Sequence, residues 1–202
     1  MFVNLKDKTC TVIGGGTVAL RKILGLLECH AFVRVIAPQC VQQIIQLFNK
    51  NNIDLCERTY QKHDIAGSFL VVAATDDAEV NTQIYQECTE SNILCNVVDI
   101  PDLCNFYYAA VYTCGELKIA VSTNGASPAL AQKIKTELSE SYPDKYIPYL
   151  QYLQRIRKSV KEKISEASTR KEILKKIVHD PHVLEQCSDE HFRRQIDTLN
   201  YN

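Results

Sequence analysis

The sequence predicts an α/β protein whose first half builds a parallel sheet, followed by a small hairpin-and-helix unit and a helical C-terminal region. Three observations lead there. Over residues 1–100, β-branched apolar runs alternate with segments whose apolar residues recur every three or four positions, the pattern of strand–helix–strand units. Residues 69–74 (FLVVAA) are apolar at every position, as a central parallel strand covered on both faces must be. After residue 100, two strand-like runs follow one another with only a short connection, so an antiparallel pair replaces the alternation.

Residues 10–13 (CTVI) read as the first strand, ending at Gly14, Gly15 and Gly16, and Val18, Leu20, Ile23, Leu24 and Leu27 then mark a buried helix face. A second strand covers 32–36 (FVRVI). Pro38 is expected to open a helix carrying Val41, Ile44, Ile45 and Phe48, with a shorter strand over 53–58. After the 69–74 strand, Asp76 or Asp77 caps a helix to about Cys88, and 93–98 (ILCNVV) is a fifth strand. The hairpin is 106–113 (FYYAAVYT) with 117–122 (LKIAVS), joined through Cys114, Gly115 and Glu116. Ser127 as cap and Pro128 at the first helical position begin a helix with Leu130, Ile134 and Leu138 on one face. Beyond Pro143 the pattern is helical, with Thr169 and Glu172 as a capping box and a last helix from Ser188. The expected divisions are 1–105, 106–142 and 143–202.

Composition narrows the function. With 46% hydrophobic and 23% charged residues in 202, the chain should fold into a real core. Its 23 basic and 24 acidic side chains nearly cancel, which removes any whole-protein attraction to nucleic acid or anionic membrane. No apolar run approaches the roughly 20 residues that cross a bilayer, and MFVNLKDK has no apolar signal core, so the cytoplasm is the expected compartment. Nine scattered cysteines without a CxxC pair read as reduced thiols rather than a disulfide framework or zinc site.

The glycine triplet, with Ala19, completes G-x-G-x-x-A between a strand and a helix. Small residues there let the main chain approach a pyrophosphate, and the N–H groups of Thr17, Val18 and Ala19 supply the positive end of the helix. A tight turn without a ligand is the alternative. The acidic residue that usually follows about 20 positions on, to hold the ribose of NAD, is absent. Ala37 stands there, next to Pro38, with no basic residue to bind the extra phosphate of NADP, so the residues lean to NAD.

At the ends of the fourth and fifth strands come Thr75-Asp76-Asp77 and Asn96-Val97-Val98-Asp99. An aspartate following a buried strand is expected to be partly desolvated and suited to accept a proton, which makes Asp99 the candidate base. A loop aspartate capping nearby N–H groups is its alternative, and Asp76 reads as a helix cap. Ser122, Thr123, Asn124, Gly125 and Ser127 gather hydroxyl and amide groups before a helix, where they can hold a carboxylate or merely form a hairpin exit. His179 and His182 flank Pro181, which breaks the helix that would align them on a metal. Residues 155–176 hold nine Arg or Lys against three Glu, a solvated helix face or the border of a polyanion site. Tyr142, Tyr146, Tyr149 and Tyr152 read as helix-packing residues.

Together, VIGGGTVALRK (12–22), VVAATDDAEVN (71–81), NVVDIPDLCNF (96–106) and VSTNGASPALA (121–131) resemble the precorrin-2 dehydrogenase family, which includes the N-terminal module of sirohaem synthase. The resemblance implies a Rossmann-like NAD-binding domain, a small α/β dimerisation domain around the hairpin and a helical C-terminal domain. It implies a homodimer that oxidises precorrin-2 to sirohydrochlorin with NAD, toward sirohaem or cobalamin, and in some members also inserts iron or cobalt. It places Gly14, Gly16 and Ala19 at the pyrophosphate, Thr75 and Asp76 near the adenosine, and Asp99 as the catalytic aspartate. Thr123 falls where sirohaem synthase carries a functionally important serine. Two other readings remain: an NAD-binding regulatory and dimerisation module, and a dehydrogenase of another small metabolite.

Overall fold

The computed structural model describes residues 2–188. The chain divides between Tyr108 and Ala109 into two compact units.

The first unit holds β1 (Thr9–Ile13), β2 (Phe32–Ile36), β3 (Asp54–Cys56), β4 (Leu70–Ala73) and β5 (Leu94–Val97), arranged β3-β2-β1-β4-β5 with every neighbouring pair parallel. Helices α1 (Thr17–Glu28), α2 (Gln42–Asn49) and α3 (Ala78–Glu90) supply three of the connections. From β1 the chain moves outward to β2 and β3, then crosses back to β4 on the other side. The strand order therefore reverses at the carboxyl ends of β1 and β4, the crevice where open parallel sheets take ligands.

The core occupies both sheet faces. Val12, Val35 and Val72 pack with Ile23, Leu26 and Ile44, while Ile13, Ile36, Val71 and Val97 pack with Ile84. All four β4 residues are buried, which is why that run is apolar without alternation. Each large aliphatic side chain so buried contributes about 1.5–3 kcal/mol. Thr11, the polar residue inside β1, is accommodated by a 2.7 Å hydroxyl–hydroxyl hydrogen bond to Ser68.

The second unit begins with β6 (Ala110–Cys114) and β7 (Leu117–Val121), an antiparallel pair closed by Gly115 and Glu116, with Gly115 at φ 56°. Helix α4 (Pro128–Ser141) packs on both strands, and α5 (Tyr146–Lys163) packs on β7, on α6 (Ala167–His179) and on α7 (Pro181–Ser188). Ser127 caps α4 by accepting from the Leu130 N–H, as its sequence predicts. Three of the four tyrosines pack as expected, with Tyr142 on Tyr146 and Tyr146 on Tyr149.

Five expectations are corrected. Helix α2 begins at Gln42 rather than Pro38, because the Val41 N–H donates to the Gly15 carbonyl at 2.9 Å and the Ala37 N–H to the Cys56 carbonyl at 3.1 Å, holding 37–41 irregular across the glycine turn. Asp77, not Asp76, caps α3: its extended backbone brings the carboxylate to the Glu79 and Val80 N–H groups. Strand β6 starts at Ala110 rather than residue 106, since the Phe106 carbonyl accepts from the Asn96 side chain and Tyr108 lies under Lys22. Helix α6 starts at Ala167, and Thr169 sits in its first turn with its hydroxyl on Glu166, so no Thr169–Glu172 capping box forms. Ser188, the expected start of a last helix, is instead the final residue given for α7, and the rest of that expected helix lies outside the described residues.

Beyond β3, Arg58 grips Asp64 with two hydrogen bonds of 2.6 and 2.7 Å, and the Gln61 N–H adds a third at 2.7 Å. The guanidinium holds the Asp64 carboxyl below the usual carboxylate range, with the Gln61 amide assisting. A carboxyl lowered on folding stabilises above its unfolded pKa and loses that contribution as pH falls through its folded value. Asp64→Asn is therefore expected to lower the urea midpoint more at pH 7 than at pH 2. An equal loss at both pH values would show that packing, not charge, is what Asp64 supplies.

Candidate functional site

The glycine triplet separates into two roles. A Cβ on Gly14, whose φ is 124°, would lie 2.2 Å from the Ala74 carbonyl oxygen, and one on Gly15 would lie 2.0 Å from the Gln39 carbonyl oxygen. These two glycines let β1 turn sharply between its neighbours. Gly16 differs: a Cβ there meets nothing within 4 Å, and its φ of −82° suits any residue. It borders open space at the start of α1, where no side chain caps the helix and no acidic residue stands in the first turn.

The first helical bond runs from Leu20 N–H to Gly16 O, which leaves the amides of Thr17, Val18 and Ala19 without intrahelical partners. An uncapped, unneutralised helix start beside an open cradle fits a pyrophosphate. The turn is fastened on both sides, by Gly14 N–H to Ile36 O at 2.9 Å and Ala74 N–H to Ile13 O at 2.7 Å. Ala37 is 2% exposed and offers a ligand only its backbone, whereas Pro38 is exposed beside it.

At the end of β4, the Thr75 hydroxyl donates to Asn81 Oδ1 at 2.8 Å, and Asn81 Nδ2 returns a bond to the Thr75 carbonyl at 2.9 Å. This clasp shapes the turn into α3 and leaves Asp76 exposed. Asn81 is buried, and the sequence reading passed over it. A polar residue on the inward stripe of α3 was the available signal.

Asp99 stands at the apex of a pinned loop after β5, with φ 62° in the left-handed region that Asp tolerates better than most residues. It is exposed, which corrects the partial desolvation expected of it: the left-handed turn carries it out of the line of the buried strand. Buried Asn96 donates to the Phe106 carbonyl at 3.1 Å, the Cys104 thiol donates to the carbonyls of Val97 and Ile100, and Asn105 Oδ1 accepts from the Cys95 N–H at 2.8 Å. Asn96, Cys104 and Asn105 all lie in the motif that contains Asp99, yet only the aspartate was singled out.

Lys22 was also missed. Its ammonium lies 3.5 Å from the centre of the Tyr108 ring, a cation–π geometry. Burial and neighbouring Arg21 pull its pKa below the ordinary lysine value, while Asp99 and Cys104 pull the other way. A half-buried cation thus stands within electrostatic reach of the candidate base. Only its place on the partly buried side of an otherwise apolar helix stripe could have flagged it.

In the second unit, the Ser122 hydroxyl accepts from the Asn124 N–H, Thr123 from the Ser127 N–H and Ser127 from the Leu130 N–H. Asn124 and Gly125 have φ of 52° and 84°, and nothing lies within 4 Å of a Cβ placed on Gly125. Each hydroxyl accepts from an amide and keeps its own proton to donate, so the loop can still offer O–H groups to a carboxylate. Most basic residues of 155–176, Lys158 and Lys161 among them, are exposed on α5 and α6. His179 closes α6 and His182 sits in the first turn of α7, so the proline does separate them.

A family described as putative NAD(P)-binding matches residues 1–110, and one described as the central part of a sirohaem biosynthesis protein matches residues 115–141. Siroheme synthases of Nitrosococcus oceani and Thioalkalivibrio sulfidiphilus are both 34% identical, over 88% and 90% of this chain. The chain spans only 38% and 37% of their lengths. Among solved structures, SirC, a precorrin-2 dehydrogenase, matches with a TM-score of 0.78 and 30% identity over 98% of both chains.

Proposed function

Because this chain belongs to the NAD(P)-binding precorrin-2 dehydrogenase family, we propose that it oxidises precorrin-2 to sirohydrochlorin with NAD as hydride acceptor, as a step of sirohaem biosynthesis. The observation that carries this reading is the open cradle at Gly16 and the uncapped α1 start, in the same unit as the Asp99 loop. When bound, NAD supplies a nicotinamide ring that accepts a hydride.

The protein's own share is small and definable. The backbone at Gly14, Gly15 and Gly16 and the amides of Thr17, Val18 and Ala19 hold the pyrophosphate. Residues Ala37, Pro38, Thr75 and Asp76 border the adenosine side. Asp99 takes the proton released from the tetrapyrrole as the hydride departs, so that precorrin-2 and NAD give sirohydrochlorin, NADH and one proton. Lys22, within electrostatic reach of Asp99, attracts a substrate carboxylate. In the second unit, the hydroxyl and amide groups of Ser122, Thr123, Asn124, Gly125 and Ser127 are carboxylate holders for a tetrapyrrole. A homodimer built on the hairpin unit and a cytoplasmic setting, without nucleic acid or membrane, complete the reading. Among the described residues, no helix is long and apolar enough to cross a membrane.

The decisive assay mixes purified protein with precorrin-2 and NAD under anaerobic conditions and follows NADH and sirohydrochlorin together. Equimolar appearance of both is expected, and NAD binding without turnover would favour the regulatory reading. Adding cobalt or iron afterwards tests metal insertion as a separate step.

A further inference from the structure

One strand away from the position after β2 that lacks an acidic residue, β3 is followed by a glutamate. Strands β2 and β3 run parallel with Ile36 opposite Cys56, and the Ala37 N–H continues that ladder to the Cys56 carbonyl at 3.1 Å. The ladder ends there: Ala37 is the residue after β2 and Glu57 the residue after β3, where the Arg58 N–H turns back to the Cys56 carbonyl at 2.9 Å, so Glu57 leaves the strand end next to the one that lacks a carboxylate. We propose that Glu57 binds the adenosine ribose hydroxyls of the dinucleotide and thereby selects NAD over NADP.

Three further observations support this. Glu57 is exposed, and among the described residues no hydrogen bond or ion pair engages its carboxylate. Its charge reaches the Cys40 thiol, which burial raises first and Glu57 raises further. The Cys40 sulfur is in turn one of the atoms a Cβ on Gly15 would strike, at 2.9 Å, so the thiol that feels this charge borders the glycine turn. Finally, Arg58, the cation nearest in sequence, is committed to Asp64 through both terminal nitrogens and is not free to neutralise Glu57 or to greet a phosphate. A carboxylate accepts from the two ribose hydroxyls of NAD, whereas the 2′-phosphate of NADP brings a like charge against it.

The proposal deepens the NAD reading and rests on it. It is tested by calorimetric titration of NAD and of NADP into the full chain and into Glu57→Gln and Glu57→Ala. The wild type is expected to prefer NAD, and both variants to lose about ten- to hundredfold in NAD affinity while NADP affinity holds or rises. Unchanged melting temperatures would show the exposed substitution leaves the fold intact. An NAD-to-NADP ratio in Glu57→Gln equal to that of the wild type would overturn the assignment while leaving NAD binding standing. A wild type that binds neither dinucleotide would overturn the cofactor reading itself.

Discussion

Asp99→Asn is expected to bind NAD as the wild type does and to form sirohydrochlorin about 10²- to 10⁴-fold more slowly, the usual range for loss of one acid–base group. Asparagine is the informative replacement because it keeps the shape of the side chain and tolerates the φ of 62° that this position requires. Alanine would add a backbone penalty of about 1–2 kcal/mol in the left-handed region and blur the reading. Since the loop is pinned by Asn96, Cys104 and Asn105 rather than by Asp99, its shape should survive the change. Stopped-flow detection of NADH release checks the rate, and turnover at the wild-type rate would move the proton to another acceptor.

Gly16→Asp is expected to raise the melting temperature slightly and to abolish NAD binding at millimolar concentrations. Aspartate is among the best N-cap residues, worth roughly a few tenths of a kcal/mol over glycine, and nothing lies within 4 Å of a Cβ placed here. The same carboxylate would repel the pyrophosphate from the cradle. Gly14→Ala is expected to do the opposite damage, since its methyl would lie 2.2 Å from the Ala74 carbonyl oxygen and force β1 and β4 apart. A loss of several kcal/mol follows from overpacking and the unfavourable backbone together. Calorimetric melting and NAD titration on both variants separate the two effects. Gly16→Asp with intact NAD affinity would remove the cradle from the cofactor site.

The parallel sheet was readable because FLVVAA and the glycine triplet each demand one environment. Element ends were harder, for tertiary bonds decide them: Pro38 has the credentials of a helix start, but the Val41 N–H goes to Gly15 and delays α2. Adjacent Asp76 and Asp77 look alike in sequence, and only the backbone angles say which carboxylate reaches the helix amides. Within the candidate site, residues that face a ligand were more legible than those that hold them in place. Asn81 and Asn96 act through bonds to main-chain groups six and ten positions away across a turn, and Lys22 meets Tyr108 across eighty-odd positions. Composition and periodicity carry no record of such meetings.

The glycine turn is knotted into the sheet by ladder bonds to β2 and β4. Freezing a loose loop on a guest would demand about 1–2 kcal/mol per residue of backbone freedom, and here folding has already incurred that loss. A dinucleotide therefore meets a finished mould, and its grip depends on the integrity of the central strands: whatever loosens the sheet also loosens the hold.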